Sequence, residues 1–247
     1  MTLEKYFEEN PIVAVAFSGG VDSTYLLYIS QKYAKKVNAY YVKSEFQPEF
    51  EYHDVKKVAD LLKAELTVIN VNVLNSEKVI ANPVNRCYYC KELIMNEIQK
   101  KAFSDGITHI IEGTNASDDE TDRPGMKVLK QMSIHSPLRD CGLTKDNIRS
   151  LSKEIGLFTW DKPAYACLAT RVATGQRITA DLLKYIEKSE EFLFSLGFSN
   201  FRVRVIGEIA KLQFPADQLI KVIDQKDIIF KYLKQYFSSV LLDLESR

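Results

Sequence analysis

The chain of 247 residues is 46% hydrophobic, so it can bury a core without disulfide staples, as one large domain or two modest ones. Its 33 Lys and Arg balance 33 Asp and Glu, which leaves no overall basic field to hold tRNA or DNA, and nucleic acid is not expected as a partner. The first ten residues carry four charges and no apolar run, and no later stretch reaches the roughly 18 apolar residues of a membrane span, so the chain reads as cytoplasmic with no membrane partner.

The run Ile12-Val-Ala-Val-Ala-Phe17 is short, continuous and apolar, as expected for a parallel strand buried on both faces. A helix is predicted over 24–33, which makes Ser18-Gly-Gly-Val-Asp-Ser23 a tight strand-to-helix turn. Strands at 37–42 and 66–71 flank a helix at 51–62, a helix follows at 91–102, and a strand at 109–112 ends on Gly113-Thr-Asn115. This alternation gives an α/β fold, a Rossmann-like parallel sheet whose ligands sit at the carboxyl ends of the strands. Thr144 is a plausible N-cap for a helix stopped by Gly156.

The tail changes character. An amphipathic helix over 179–196 ends at Gly197, Phe201-Arg-Val-Arg-Val-Ile206 alternates like a strand, and 208–214 is placed as its hairpin partner. Helices near Gln218 and Asp227 and a strand at 240–242 complete a small α+β unit, so the domains are set at 1–172 and 173–247.

Two chemical motifs emerge. In the first, Gly19 and Gly20 let the backbone approach phosphate oxygens while helix-terminal amides and the hydroxyls of Ser18 and Ser23 donate to them. Asp22 is out of place beside a polyanion unless Mg²⁺ lies between, which assigns it to metal or to the leaving pyrophosphate. The second motif is Arg86-Cys-Tyr-Tyr-Cys-Lys91 just before a helix, together with Cys167 in Pro163-Ala-Tyr-Ala-Cys-Leu-Ala-Thr-Arg171. Basic neighbours of this kind favour the thiolate that nucleophiles and metal sites require. Cys141 has no such setting and reads as a small buried apolar group.

The Ser18–Ser23 turn resembles the motif of the PP-loop ATP pyrophosphatases, which adenylylate a substrate oxygen with ATP and release pyrophosphate. Glu112-Gly-Thr-Asn-Ala-Ser-Asp118, Asp122-Arg-Pro-Gly125, Ser136-Pro-Leu138, Gly142-Leu-Thr-Lys145, Trp160-Asp-Lys-Pro163, Ala166-Cys-Leu-Ala169, Arg171 and Phe201-Arg-Val-Arg204 extend the likeness over nearly the whole chain. Together they resemble the LarE family of sulfur transferases. The resemblance implies an ATP-dependent sulfurtransferase of nickel-pincer nucleotide cofactor biosynthesis that turns a carboxylate of a pyridinium mononucleotide into a thiocarboxylate.

It also implies two sulfur sources: a [4Fe-4S] cluster held by Cys87, Cys90 and Cys167 that takes up sulfide or another donor's sulfur, or Cys167 surrendering its own sulfur. A tRNA thiolase and an amide-forming PP-loop ligase remain the alternatives. Cys167, Asp22 and Lys91 are the expected catalytic residues. Ser18, Gly19, Gly20, Asp22, Ser23, Ser44, Gly113, Thr114, Asn115 and Asp118 are expected to bind ATP and Mg²⁺. Arg123, Arg171, Arg202, Arg204 and Glu190 are expected to bind substrate, and the family's habit implies a homo-oligomer.

One departure stands out. The family's tail hairpin usually reads Ala-Arg-Ile-Glu, whereas this chain has Ala210-Lys-Leu-Gln213, so a carboxylate and a guanidinium are missing there.

Overall fold

A computed structural model describes residues 1–118 and 124–246. The described residues form two compact units, one made of 1–44, 49–72 and 85–164, the other of 45–48, 73–84 and 165–247. The second unit therefore recruits two short segments from the first third of the chain, which a single cut after residue 172 has no way to express.

The first unit is a four-stranded, all-parallel sheet in the order β3-β2-β1-β4, built from β1 (Ile12–Ala16), β2 (Lys36–Lys43), β3 (Leu66–Asn70) and β4 (Ile110–Glu112). The apolar run of β1 works as a doubly buried strand should. Val13 and Val15 face one core with Leu26 and Leu27 of helix α2 (Val21–Tyr33) and Val55 and Val58 of α3 (Glu49–Leu62). Ala14 and Ala16 face the other with Met95, Ile98 and Ala102 of α5 (Arg86–Ser104). Chain order moves outward from β1 to β3 and then crosses to β4 on the other side of β1. The crevice at the carboxyl ends of β1 and β4 is thus the switch point where such sheets bind ligands.

Two boundaries correct the sequence reading. Helix α2 starts at Val21, so Asp22 and Ser23 already lie on its first turn. Helix α5 starts at Arg86, so Cys87 and Cys90 lie inside the helix and not ahead of it. Pro83 and Asn85 supply the break, and nothing between Arg86 and Lys91 opposes helix formation. The capping expectation at Thr144 holds in full: its hydroxyl accepts from the Asn147 amide while the Asn147 side chain returns to the Thr144 amide, opening α8 (Lys145–Glu154).

The second unit has a three-stranded sheet, β5-β6-β7, in which β5 (Arg202–Ile206) and β6 (Ile209–Gln213) form an antiparallel hairpin and β7 (Ser239–Leu242) runs parallel to β6. Helix α9 (Ala180–Ser195), capped by Thr179, contributes Leu183, Ile186 and Leu193 to a core shared with Val203, Val205, Phe201 and Phe214. Among the described residues no helix is long and apolar enough to cross a membrane.

Just ahead of β4, His109 stacks on His135 with ring centroids 4.4 Å apart, and its Nε2 shares a 2.8 Å hydrogen bond with the Tyr6 hydroxyl. Burial first, and the neighbouring His135 second, hold the His109 pKa below its ordinary value. Folding therefore favours the neutral ring. Stability is intact above about pH 6.5 and is lost as pH falls below it, because the unfolded chain then binds a proton that the folded chain resists. The urea midpoint is expected to drop between about pH 7.5 and 5.5, and His109→Gln should flatten that dependence; an equal slope in the variant would refute the assignment.

Candidate active site

The turn after β1 is shaped for phosphate. Gly19 has φ +73°, and a Cβ there would lie 2.6 Å from Cγ2 of Val55, so both backbone and space require glycine. Gly20 caps α2 without any side-chain bond, leaving the first turn's amides turned toward the crevice. The hydroxyls of Ser18 and Ser23 stand 3.0 Å apart, and Ser23 Oγ also donates to the Gly20 carbonyl at 3.3 Å and accepts from the Ser18 amide at 3.2 Å. These bonds set the loop's curvature.

Asp22 is not left to repel phosphate. Its Oδ2 takes a 2.5 Å bond from Lys145 Nζ, and its Oδ1 a 3.4 Å bond from Asn115 Nδ2. Lys145 thus places a cation where the crevice needs one, at the start of α8. Sequence reasoning quoted this lysine within a motif but gave it no role, since its partner lies 123 positions away.

The second loop packs directly on the first. A Cβ on Gly113 would sit 2.9 Å from the Ser23 amide nitrogen and 3.1 Å from its Cα, so only glycine lets the end of β4 meet the start of α2. Asn115 is buried, and its amide donates to Asp118 Oδ2 at 3.0 Å while its Oδ1 accepts from the Ser117 amide at 2.8 Å. Arg139 grips the loop from outside through the carbonyls of Asn115 and Asp118. Ser44, just beyond β2, is buried in the same unit.

Glu112, likewise quoted within a motif but given no role, organises this end of β4. Its Oε1 accepts from the Thr114 amide at 3.0 Å and from Ser136 Oγ at 2.6 Å, and its Oε2 lies 3.8 Å from Lys91 Nζ. Lys91 is thereby drawn to the end of β4.

None of the four cysteines is in a disulfide. Cys87 is exposed and Cys90 half-buried; three positions apart on the first turns of α5, they share one face. The buried Arg86 guanidinium donates to Cys87 Sγ at 3.7 Å. Cys141 packs against the core of the first unit, and burial raises its pKa, which suits the bland reading. Among the described residues no group of three or more His, Cys, Asp or Glu side chains is gathered as a metal ion would need. By donor chemistry, Cys87 and Cys90 suit two ligand positions of a cluster, since thiolates a helical turn apart can reach one centre.

Cys167 belongs to the second unit, half-buried at the head of a short 3₁₀ turn, Leu168–Arg171. Around it Arg171 and Glu190, 1% and 2% exposed, form a two-pronged ion pair with bonds of 2.9 and 3.1 Å. Burial alone would lower the Arg171 pKa, but the bonds and charge of Glu190 outweigh it and the net shift is upward. Tyr165, which sequence reasoning missed, donates its hydroxyl to Glu190 and lies under both the Arg171 and Arg202 guanidinium groups, 4.4 and 5.1 Å from its ring centre.

Arg202 and Arg204 alternate onto one face of β5, the first buried, the second exposed. The altered hairpin is internally consistent: Gln213 accepts from Arg204 and donates to Asp243 at 2.8 Å, and Lys211 pairs with Asp243 at 2.8 Å. Bonds from Lys211 and Gln213 pull the Asp243 pKa down to about 2. Arg123 lies outside the described residues.

Three likenesses converge on this arrangement. The family described as Queuosine biosynthesis protein QueC matches residues 12–84, which contain the phosphate turn. An uncharacterized protein of Synechocystis is 31% identical over 98% of this chain and 92% of its own. The pyridinium-3,5-bisthiocarboxylic acid mononucleotide synthase of Lactiplantibacillus plantarum is 28% identical over 94% of this chain and 85% of its own.

The chain belongs to the LarE family of PP-loop ATP pyrophosphatases.

As a LarE-family member it is an ATP-dependent sulfurtransferase. A tRNA-specific 2-thiouridylase of Clostridium botulinum also matches, at 27% identity, but over only 61% of this chain and 52% of its own.

Proposed function

We propose that this LarE-family enzyme adenylylates a carboxylate of a pyridinium mononucleotide and converts it to a thiocarboxylate. The carboxylate oxygen attacks the α-phosphorus of ATP and pyrophosphate leaves. A sulfur nucleophile then attacks the acyl carbon of the mixed anhydride, and AMP departs with the electron pair. The observation that carries this reading is the joining, in one chain, of a helix start poised for phosphate at Gly20 with Cys87, Cys90 and Cys167, none of them in a disulfide.

In the first half-reaction, the amides of the Gly19–Ser23 turn and the hydroxyls of Ser18 and Ser23 bind the phosphates of ATP. Lys145 moves from Asp22 to the β- and γ-phosphates, which frees the Asp22 carboxylate for Mg²⁺. Lys91, oriented by Glu112, donates to the α-phosphate as its charge grows. Ser44, Gly113, Thr114, Asn115 and Asp118 enclose the nucleoside. On the second unit, Arg202 and Arg204 take the substrate phosphate, with Arg123, Arg171 and Glu190 in supporting roles.

For the second half-reaction, Cys87, Cys90 and Cys167 would be the thiolates that hold a [4Fe-4S] cluster, and the chemistry such a cluster would supply is delivery of sulfide-level sulfur from an outside donor. The enzyme works in the cytoplasm as a homo-oligomer, in keeping with cysteines that form no disulfide and with the exposed Ile220, Ile223 and Leu244 of the second unit.

Anaerobic purification followed by iron analysis tests the sulfur source. Roughly four irons per chain with broad visible absorbance support the cluster. Protein without iron that loses the mass of one H₂S at Cys167 during turnover overturns it in favour of the sacrificial route.

A further inference from the structure

The hydrogen bonds around Cys167 carry a role for Arg171 and Glu190 beyond substrate contact. Glu190 has about four acceptor positions on its two oxygens. The Arg171 Nε (2.9 Å) and the Val203 amide (3.0 Å) occupy Oε1; the Arg171 Nη2 (3.1 Å) and the Tyr165 hydroxyl occupy Oε2. Nothing remains on Glu190 for a ligand.

The rest of the Arg171 guanidinium points along the cysteine loop. Its Nη1 donates to the carbonyl of Ala166 at 2.6 Å, to Thr170 Oγ1 at 2.9 Å and to the carbonyl of Cys167 at 3.4 Å. The Cys167 carbonyl is held from two further directions, by the Thr170 amide at 2.9 Å and the Thr170 hydroxyl at 2.8 Å. On the far side, the Leu168 amide is anchored to the Phe46 carbonyl at 2.9 Å. Both peptide planes that define the Cys167 Cα are therefore fixed by bonds, in a loop that has no regular secondary structure before the 3₁₀ turn.

We propose that Arg171, locked in place by Glu190, is a positioning residue that sets the main chain of Cys167 for sulfur transfer. Burial explains why an ion pair does this work. A solvated guanidinium would exchange partners with water, whereas one that is 1% exposed and bound at every donor nitrogen keeps a single orientation. The sulfur of Cys167 must meet a reacting acyl carbon or a cluster iron within a few tenths of an ångström, and a displacement of about 1 Å can cost about a hundredfold in rate. The inference rests on the reading of Cys167 as the working thiol.

Two variants test it. Arg171→Lys keeps the charge but cannot fork to both the Glu190 carboxylate and the loop carbonyls. Arg171→Met combined with Glu190→Leu removes both charges, so no lone ion is left buried. Amide hydrogen exchange on the full chain is expected to quicken at least about tenfold at Leu168 and Thr170 in both variants, with the helix Lys226–Leu233 unchanged. In turnover, the ratio of thiocarboxylate formed to pyrophosphate released should fall at least about a hundredfold.

Parent-like exchange at Leu168 and Thr170 in a folded variant overturns the proposal, and so does a parallel loss of pyrophosphate release. Should the double variant fail to fold, Arg171→Lys decides alone. If Cys167→Ser instead transfers sulfur at the parent rate, the underlying reading of Cys167 fails, while the exchange result still judges the positioning.

Discussion

Asp22→Ala lowers pyrophosphate release by about two to three orders of magnitude, the range for losing a group that organises charge in a transition state. The size of the effect comes from geometry. Asp22 sits on the first turn of α2, where the helix dipole and the loop amides already favour an anion, so the carboxylate competes with phosphate unless a cation joins them. In the structure Lys145 fills that place at 2.5 Å, with Asn115 completing the contact. Alanine removes both the seat for a divalent cation and the anchor that stores Lys145.

Stability should hardly change, because a pair with side chains 21% and 34% exposed contributes only about 0–1 kcal/mol. The melting point and the pyrophosphate rate together are therefore diagnostic. A folded Asp22→Ala protein that releases AMP and pyrophosphate at the parent rate sinks the assignment. Lys145→Met should show a smaller loss, since the cation it parks for is still bound by Asp22.

Much of the fold could be read in advance because its signals are local. The β1 run could only be a doubly buried strand, Thr144 carried its own capping partner three residues on, and Gly197 marked where α9 stops. The errors cluster where chemistry drew attention from propensity. The cysteine motif was placed just ahead of a helix, yet Arg86-Cys-Tyr-Tyr-Cys-Lys91 contains no residue that resists a helix and lies within one. The recruitment of 45–48 and 73–84 into the second unit had no local signature at all.

The site was legible in its glycines and opaque in its partnerships. Gly19 and Gly113 announce close backbone approaches, and the structure shows what approaches them, Val55 and Ser23. Glu112, Lys145 and Tyr165 acquire their roles only through residues brought near by the sheet or by the second unit's own packing. A sequence shows that Arg171 and Glu190 are charged; it does not show that Arg171 has spent its donors on Glu190 and a cysteine loop, or Glu190 its oxygens on Arg171, Tyr165 and the Val203 amide.

Cys167→Ala abolishes thiocarboxylate formation, by at least about a thousandfold, while pyrophosphate release continues. A missing sulfur ligand or donor removes the nucleophile and leaves the adenylylating crevice of the other unit untouched. Both sulfur sources make this prediction, so the pair on α5 discriminates between them. If Cys87 and Cys90 hold a cluster, Cys87→Ala and Cys90→Ala each fall as far as Cys167→Ala, and added sulfide rescues none of them. If Cys167 is consumed, both variants retain a single turnover. Cys141→Ala should behave as the parent in either case, its thiol being packed in the core of the first unit. Following AMP and thiocarboxylate in the same reaction checks every branch, and full sulfur transfer by Cys167→Ala would leave only an adenylylating enzyme with some other nucleophile.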